Sequence, residues 1–334
     1  MKFIVFFFAL ALVVPMAVDS QVVQTQGLGD DRVTYTMDTL ELGPKVMNTR
    51  SVIHDQFIVS SQWIEDGIFS LHDLRSKKFI GSFGKLKDFK NSYFYNDLSV
   101  YKNRLIVRDK KYLYQIAYSV GEGGIRYSID PVYKFPLKRG TTVTWCDQIN
   151  DSLFLYKVND GVDNSLYFGN RNLKTKVGRV VARDNSMYDI NEVGMVIGSK
   201  PDKSAFVLLP RYNSVHLVIV NLDGELVAKR KMDYLEQNGP GWETLHYTRV
   251  YTTDRYIYGL YRNLTRRVGG FQFVPGDVFQ LHVWDWKGNP IKKIKLPDHV
   301  DGFIVTDDDA KIYGITDYNK KWILYGIDGA ILKN

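Results

Sequence analysis

The chain is short of cysteine, of catalytic signatures and of long apolar runs, and each shortage narrows its class. Cys146 is the only cysteine in 334 residues, so no internal disulfide can form. A chain this large needs no covalent staple, because its core can be extensive. Cys146 sits in the apolar run Val143-Thr144-Trp145-Cys146 and reads as a small buried hydrophobe rather than a nucleophile. Beyond the N-terminus, no segment sustains apolar residues at i, i+3, i+4 and i+7, which argues against a helical fold. No run of five or more like charges occurs, although 44 Lys and Arg against 37 Asp and Glu give a net charge of +7. Without a basic stripe or a recognised binding motif, nucleic acid is not expected as a partner.

Motif chemistry is equally sparse. Gly121 to Gly124 lacks the G-x-x-x-x-G-K-[ST] pattern of a phosphate loop, and no G-x-S-x-G elbow is present. The six histidines (His54, His72, His216, His246, His282, His299) show no H-E-x-x-H or other ligand spacing. Asp307-Asp308-Asp309 has neither the Gly nor the distal Glu of an EF-hand and reads as a turn. The sequons at Asn150 and Asn263 would matter only in a eukaryotic host.

One apolar run exists, at the N-terminus. Met1-Lys2 precedes the uncharged stretch Phe3 to Val18, and Val18-Asp19-Ser20 suits signal peptidase. Residues 1–20 therefore read as a signal peptide, 21–31 as a flexible mature N-terminus and 32–334 as one domain. Pro15 and Asp19 interrupt the end of the run, which is short for a membrane span. No cysteine follows it, so a lipoprotein anchor is excluded. The expected location is periplasmic or extracellular, with no membrane span after processing.

What the chain does hold is aromatic and β-branched residues, and a repeat. With 22 Tyr and 18 Phe, the composition favours pleated surfaces. Asp254-Arg255-Tyr256-Ile257-Tyr258-Gly259-Leu260 returns as Asp309-Ala310-Lys311-Ile312-Tyr313-Gly314-Ile315. Weaker copies begin at Asp55, Asn103, Asp151 and Asp202. The interval is roughly 50 residues, a period that signals a solenoid, array or propeller. Hairpin turns at Arg75-Ser76, Asp223-Gly224, Lys287-Gly288 and Asp328-Gly329 follow four of the copies, between apolar runs. Each unit parses as four strands, a to d from the inside outward, with the motif on strand b. Four-stranded sheets bury both faces by packing radially around an axis. The expectation is an all-β, six-bladed β-propeller with four antiparallel strands per blade. Arg32 to Leu42 has no place in the first blade and is expected to pair at the edge of the last, closing the ring.

With a signal peptide and D-x-x-I-Y-type b strands, residues from roughly 45 to 334 resemble the TolB-like six-bladed propeller proteins exported by Bacteroidetes. The resemblance implies a fold and a compartment, and carries over no site residues.

Connection lengths place function on one face. The a–b turns are tight, and the c–d turns are short except at Ser119 to Ser128. The long connections are Gly84 to Asp97, Val158 to Ser165, Val180 to Glu192, Asp233 to His246 and Arg262 to Gly276. All are d–a or b–c connections, which emerge together. They and the neighbouring b–c turn carry Tyr95, Tyr188, Arg211, Tyr212, Trp242, Arg262, Arg266 and Arg267, residue types typical of binding anchors. The first reading is thus a non-catalytic, cofactor-free module that holds a protein, peptide or glycan. The alternative is a metal-dependent hydrolase or lyase with Ca²⁺ on the axis, held by Asp97, Asn191, Glu192, Glu243 and Asp298.

Overall fold

The computed structural model describes residues 23–26, 32–39, 51–61, 66–90, 94–137, 139–159, 164–170, 175–180, 195–210, 216–223, 225–231, 242–267, 274–296, 302–318 and 321–328. Apart from one 3-10 turn at Leu86–Asp88, their regular structure is entirely β. Two N-terminal strands come first, β1 (Val23–Gln26) and β2 (Arg32–Thr39). The first sheet holds β3 (Ser51–His54), β4 (Phe57–Ser61), β5 (Asp66–Asp73) and β6 (Phe79–Lys85). The second holds β7 (Phe94–Tyr101), β8 (Arg104–Asp109), β9 (Tyr112–Gly121) and β10 (Gly124–Lys134). The third holds β11 (Thr142–Gln148), β12 (Leu153–Asn159), β13 (Asn164–Asn170) and β14 (Thr175–Val180). The fourth holds β15 (Met195–Ser199), β16 (Ala205–Pro210), β17 (His216–Asn221) and β18 (Leu226–Lys231). The fifth holds β19 (Trp242–Thr252), β20 (Tyr256–Arg267), β21 (Val274–Asp285) and β22 (Pro290–Lys295). The sixth is built from β23 (Gly302–Val305), β24 (Lys311–Tyr318) and β25 (Lys321–Asp328), continued by β2 and β1.

All pairings are antiparallel, and the first strands of the sheets lie side by side. β3 meets β7, β7 meets β11, β15 meets β19, β19 meets β23 and β23 meets β3. The third and fourth sheets join through Trp145 and Leu155 against Ile197 and Phe206. The chain is an all-β propeller. Second strands are packed from both sides by neighbouring sheets, which is why β16 reads Ala-Phe-Val-Leu-Leu-Pro and is buried throughout. The outer strand β22, Pro-Ile-Lys-Lys-Ile-Lys, buries only Ile294.

The recurrent turn residues have a local cause. Asp55, Lys102, Lys203 and Asp309 adopt positive φ between the first and second strands of their sheets. Asn150 Oδ1 accepts the backbone N–H groups of Ser152 and Leu153, and Asp202 Oδ1 accepts that of Ser204. Such side chains stand in for a backbone acceptor. Of the recurrent turn residues, Asp55 and Asp309 themselves take the left-handed conformation, whereas in two other turns it falls on the adjacent Lys102 and Lys203.

Four sequence expectations change. Val23–Gln26, expected in a flexible N-terminus, forms β1 and pairs with β2, whose N-terminal half offers a free edge beyond β25. The Asp328-Gly329 hairpin turn would lead into an outer strand of the sixth sheet, but the strand paired beside β25 is β2, with Tyr35–Thr39 against Ile327–Ile323. Residues 329–334 lie outside the described residues. Ser119 to Ser128 is no open loop but the tip of a long hairpin, with Gly121 paired to Gly124. Finally, most of the connection Arg262 to Gly276 and the end of Asp233 to His246 are strand, as cross-strand pairing continues outward.

Candidate functional site

The fifth sheet is extended on one side. β19, β20 and β21 have 11, 12 and 12 residues, whereas β15 and β16 in the neighbouring sheet have 5 and 6. The surplus lies at the start of β19, the end of β20 and the start of β21, on the face expected to carry function. There Trp242 pairs with Arg267, Glu243 with Arg266, and Thr265 with Val274. Three hydrogen-bonded strands therefore form a ribbon there.

Below it, between the fourth and fifth sheets, lies a buried polar and aromatic cluster. Bulges near His246 and Arg262 break the regular register where ribbon meets ring. The rings of His246 and Tyr261 stack at 6.1 Å and 5°, and those of Tyr261 and His282 at 4.8 Å and 19°. Tyr247 sets its hydroxyl 2.7 Å from His282 Nδ1, while His282 Nε2 lies 2.8 Å from Gln280 Oε1. The Gln280 oxygen only accepts, so His282 carries its proton on Nε2 and receives the Tyr247 O–H at Nδ1. Burial pushes the His282 pKa down to about 3, and Lys293, its cross-strand partner, adds to the effect. Burial also lowers His246 to about 4. Both imidazoles are neutral at physiological pH and too weakly basic for general-base work there. His246 is 1% exposed and its Nδ1 has no hydrogen-bond partner. Tyr247 and Tyr261 of this cluster pack against Val207 and Leu209 of the fourth sheet, beneath the ribbon.

The structure places the expected binding residues as follows. Trp242, Arg262, Arg266 and Arg267 are on the fifth-sheet ribbon, as strand residues rather than loop residues. Tyr95 is on β7, paired with Arg108. Tyr188, Arg211 and Tyr212 lie outside the described residues. Of the expected cation ligands, Asp97 is on β7 and Glu243 on β19, two different sheets. Asn191, Glu192 and Asp298 lie outside the described residues. Among the described residues, no group of three His, Cys, Asp or Glu side chains is arranged to hold a metal. Sequence reading missed His246 and His282 because it sought metal spacing, whereas their proximity comes from strands 36 residues apart. The only available signal was the density of His, Tyr and Trp in the fifth unit.

A second polar knot lies where the second, third and fourth sheets meet. Asp147 on β11 is buried and accepts from Lys203 Nζ at 2.5 Å, from Ser99 Oγ at 3.4 Å, from its neighbour's N–H and from Ser199 Oγ. It is on the tight-turn side of the ring and joins three sheets.

The fold defines the class, a β-propeller. The family model described as TolB-like 6-blade propeller-like matches residues 231–308, a span that contains the whole fifth sheet and its cluster. Among solved structures, a luciferin-regenerating enzyme is similar over 88% of this chain and 95% of its own, at TM-score 0.52 and 11% identity. A chain of a mitotic checkpoint complex aligns over 96% of this chain and 98% of its own, at TM-score 0.47 and 11% identity. A putative 6-phosphogluconolactonase from Bacteroides fragilis aligns over 94% and 95%, at TM-score 0.41 and 12% identity. At these identities the likeness concerns the fold alone. No curated protein sequence matches the chain.

Proposed function

We propose that this chain is an exported, non-catalytic binding propeller that holds a protein, peptide or glycan on the face bearing the fifth-sheet ribbon. Residues 1–20 serve as the signal peptide, and the mature protein works in the periplasm or outside the cell without a lipid anchor. Residues 32–334 form six blades, and β2, paired with β25, closes the ring. No helix among the described residues is long and apolar enough to cross a membrane.

The observation that carries this reading is the continued pairing of β19, β20 and β21 out to Trp242, Arg267 and Val274 on one face. It raises Trp242, Arg262, Arg266 and Arg267 on a hydrogen-bonded ribbon over a packed floor. Anchors on strands lose less conformational freedom on binding than anchors on loops. Trp and Arg combine large contact area with directional donors.

The test is a screen of glycan and peptide arrays with the processed protein, repeated with Trp242→Ala and Arg266→Ala/Arg267→Ala and with EDTA added. Binding that the variants abolish while the melting temperature holds supports the reading. A ligand unaffected by these substitutions removes the ribbon from the site. Turnover that EDTA stops would favour a Ca²⁺-dependent hydrolase or lyase instead.

A further inference from the structure

The outer wall of the propeller carries a second surface. Strands β18 and β22 are the outermost strands of the fourth and fifth sheets. Their sequences, Leu-Val-Ala-Lys-Arg-Lys and Pro-Ile-Lys-Lys-Ile-Lys, hold six Lys or Arg and no acid. The chain as a whole has nearly balanced charge. Folding thus gathers one sign on a rim that the linear sequence disperses over 70 residues. The two strands are linked through the turn before β22: a Cβ on Gly288 would lie 3.1 Å from Ala228 Cβ and 3.2 Å from Arg230 Cγ. The Arg230 guanidinium reaches the Lys287 carbonyl at 3.4 Å.

Apolar side chains accompany the charge. Leu226, Val227 and Ile291 are exposed, and they make up half of the six exposed large hydrophobics among the described residues. Leu226 and Val227 directly precede Ala228, and Ile291 lies three residues after Gly288, while Arg230, Lys293 and Lys295 are exposed on the same two strands. Among the described residues, Asp285 at the end of β21 accepts from the Lys287 and Asn289 N–H groups, and Glu225 accepts from Asn221.

Lysine on an edge strand guards against edge-to-edge pairing. That role requires no exposed Leu, Val and Ile beside the cations. A soluble polyanion would neutralise the lysines and leave the aliphatic groups in water. An anionic bilayer satisfies both, with headgroups for the cations and the interfacial region for the aliphatic tips.

We propose that the outer wall formed by β18 and β22 docks onto an anionic lipid surface, leaving the ribbon face free. This inference is independent of the ligand on that face.

The test is vesicle co-sedimentation with the processed protein, so that Phe3 to Val18 cannot itself enter the bilayer. Vesicles of phosphatidylcholine alone are compared with vesicles in which about a third of the lipid is phosphatidylglycerol. The expected result is binding only to the anionic vesicles, weakened by salt. Arg230→Glu/Lys293→Glu/Lys295→Glu lowers the partition coefficient by about 100-fold or more, and Leu226→Ser/Val227→Ser/Ile291→Ser by about tenfold. Circular dichroism melts confirm that both variants fold, and Lys293→Gln/Lys295→Gln supplies a milder version of the first. Failure of the wild type to bind anionic vesicles overturns the proposal, as does equal binding by the charge-reversed protein. Wild-type affinity in the serine variant overturns the lipid assignment, because the surface would then respond to charge alone.

Discussion

The Tyr258 hydroxyl donates to Asp309 Oδ1 at 2.6 Å, joining the fifth and sixth sheets. The tyrosine of one copy of the repeated motif therefore closes on the aspartate that opens the next. Arg255 Nε reaches the other oxygen of Asp309 at 2.8 Å, so the nearly buried carboxylate is satisfied on both sides. Burial raises the Tyr258 pKa far above the ordinary phenol value, and the Asp309 bond adds to it, so this donor keeps its proton. Tyr258→Phe is expected to cost roughly 1.5–3 kcal/mol, the range for a hydrogen bond to a charged group. Urea denaturation measures it, and a loss below the error of the fit would show that the link is not needed.

Gly259 follows in the same motif because two side chains crowd its α-carbon. An added Cβ would lie 2.8 Å from both Leu209 Cδ1 and Tyr247 Cδ1. Gly259→Ala is expected to destabilise the protein by about 1–3 kcal/mol through overpacking. A second change, Leu209→Ala, should recover part of the loss if the clash is the cause. Thermal melts of the single and double variants decide this.

Asp147 and Lys203 form a buried ion pair at the junction of three sheets. Lys203→Met removes one partner and leaves the buried carboxylate with hydroxyl and amide donors only. The expected loss is about 3–5 kcal/mol. Replacing both residues with apolar ones should cost less than the single change, since no buried charge would remain. Equal losses would mean that packing, not charge, holds the junction.

Acid should destabilise the fold before most carboxylates titrate. Burial lowers His72 to about 4, His246 to about 4 and His282 to about 3. Each binds its proton more weakly when folded than the free side chain does at about 6.5. Above that pH the histidines are neutral in both states and contribute no pH dependence. As pH falls from about 6.5 towards 4, the unfolded chain gains protons first and stability falls, by something on the order of 3 kcal/mol per histidine. His72→Leu should flatten that limb. His72 is fully buried and neither ring nitrogen has a hydrogen-bond partner, so the substitution leaves no donor stranded. Denaturation midpoints across this range that follow the same slope in both proteins would contradict the assignment.

The sequence alone determined most of the strands, though not β1 or the outward extension of the fifth sheet. Alternating or continuous apolar runs, bounded by Asp, Asn and Gly, are local signals, and the backbone responds to them locally. The turn aspartates, the hairpin glycines and the buried second strands such as β16 were therefore legible. The proposed binding surface was legible only in part. Trp242, Arg262, Arg266 and Arg267 were singled out by residue type but placed in loops, because no local pattern separates a long loop from a ribbon whose partner strands supply its hydrogen bonds. Tertiary structure alone decided that Tyr258 meets Asp309, 51 residues away, and that His246 and His282 flank Tyr261. It also decided that Gly288, in the turn before β22, packs against Ala228 and Arg230 of β18. Those relations depend on how sheets pack around a ring, where residues a whole repeat apart become neighbours and sequence distance carries no information about contact.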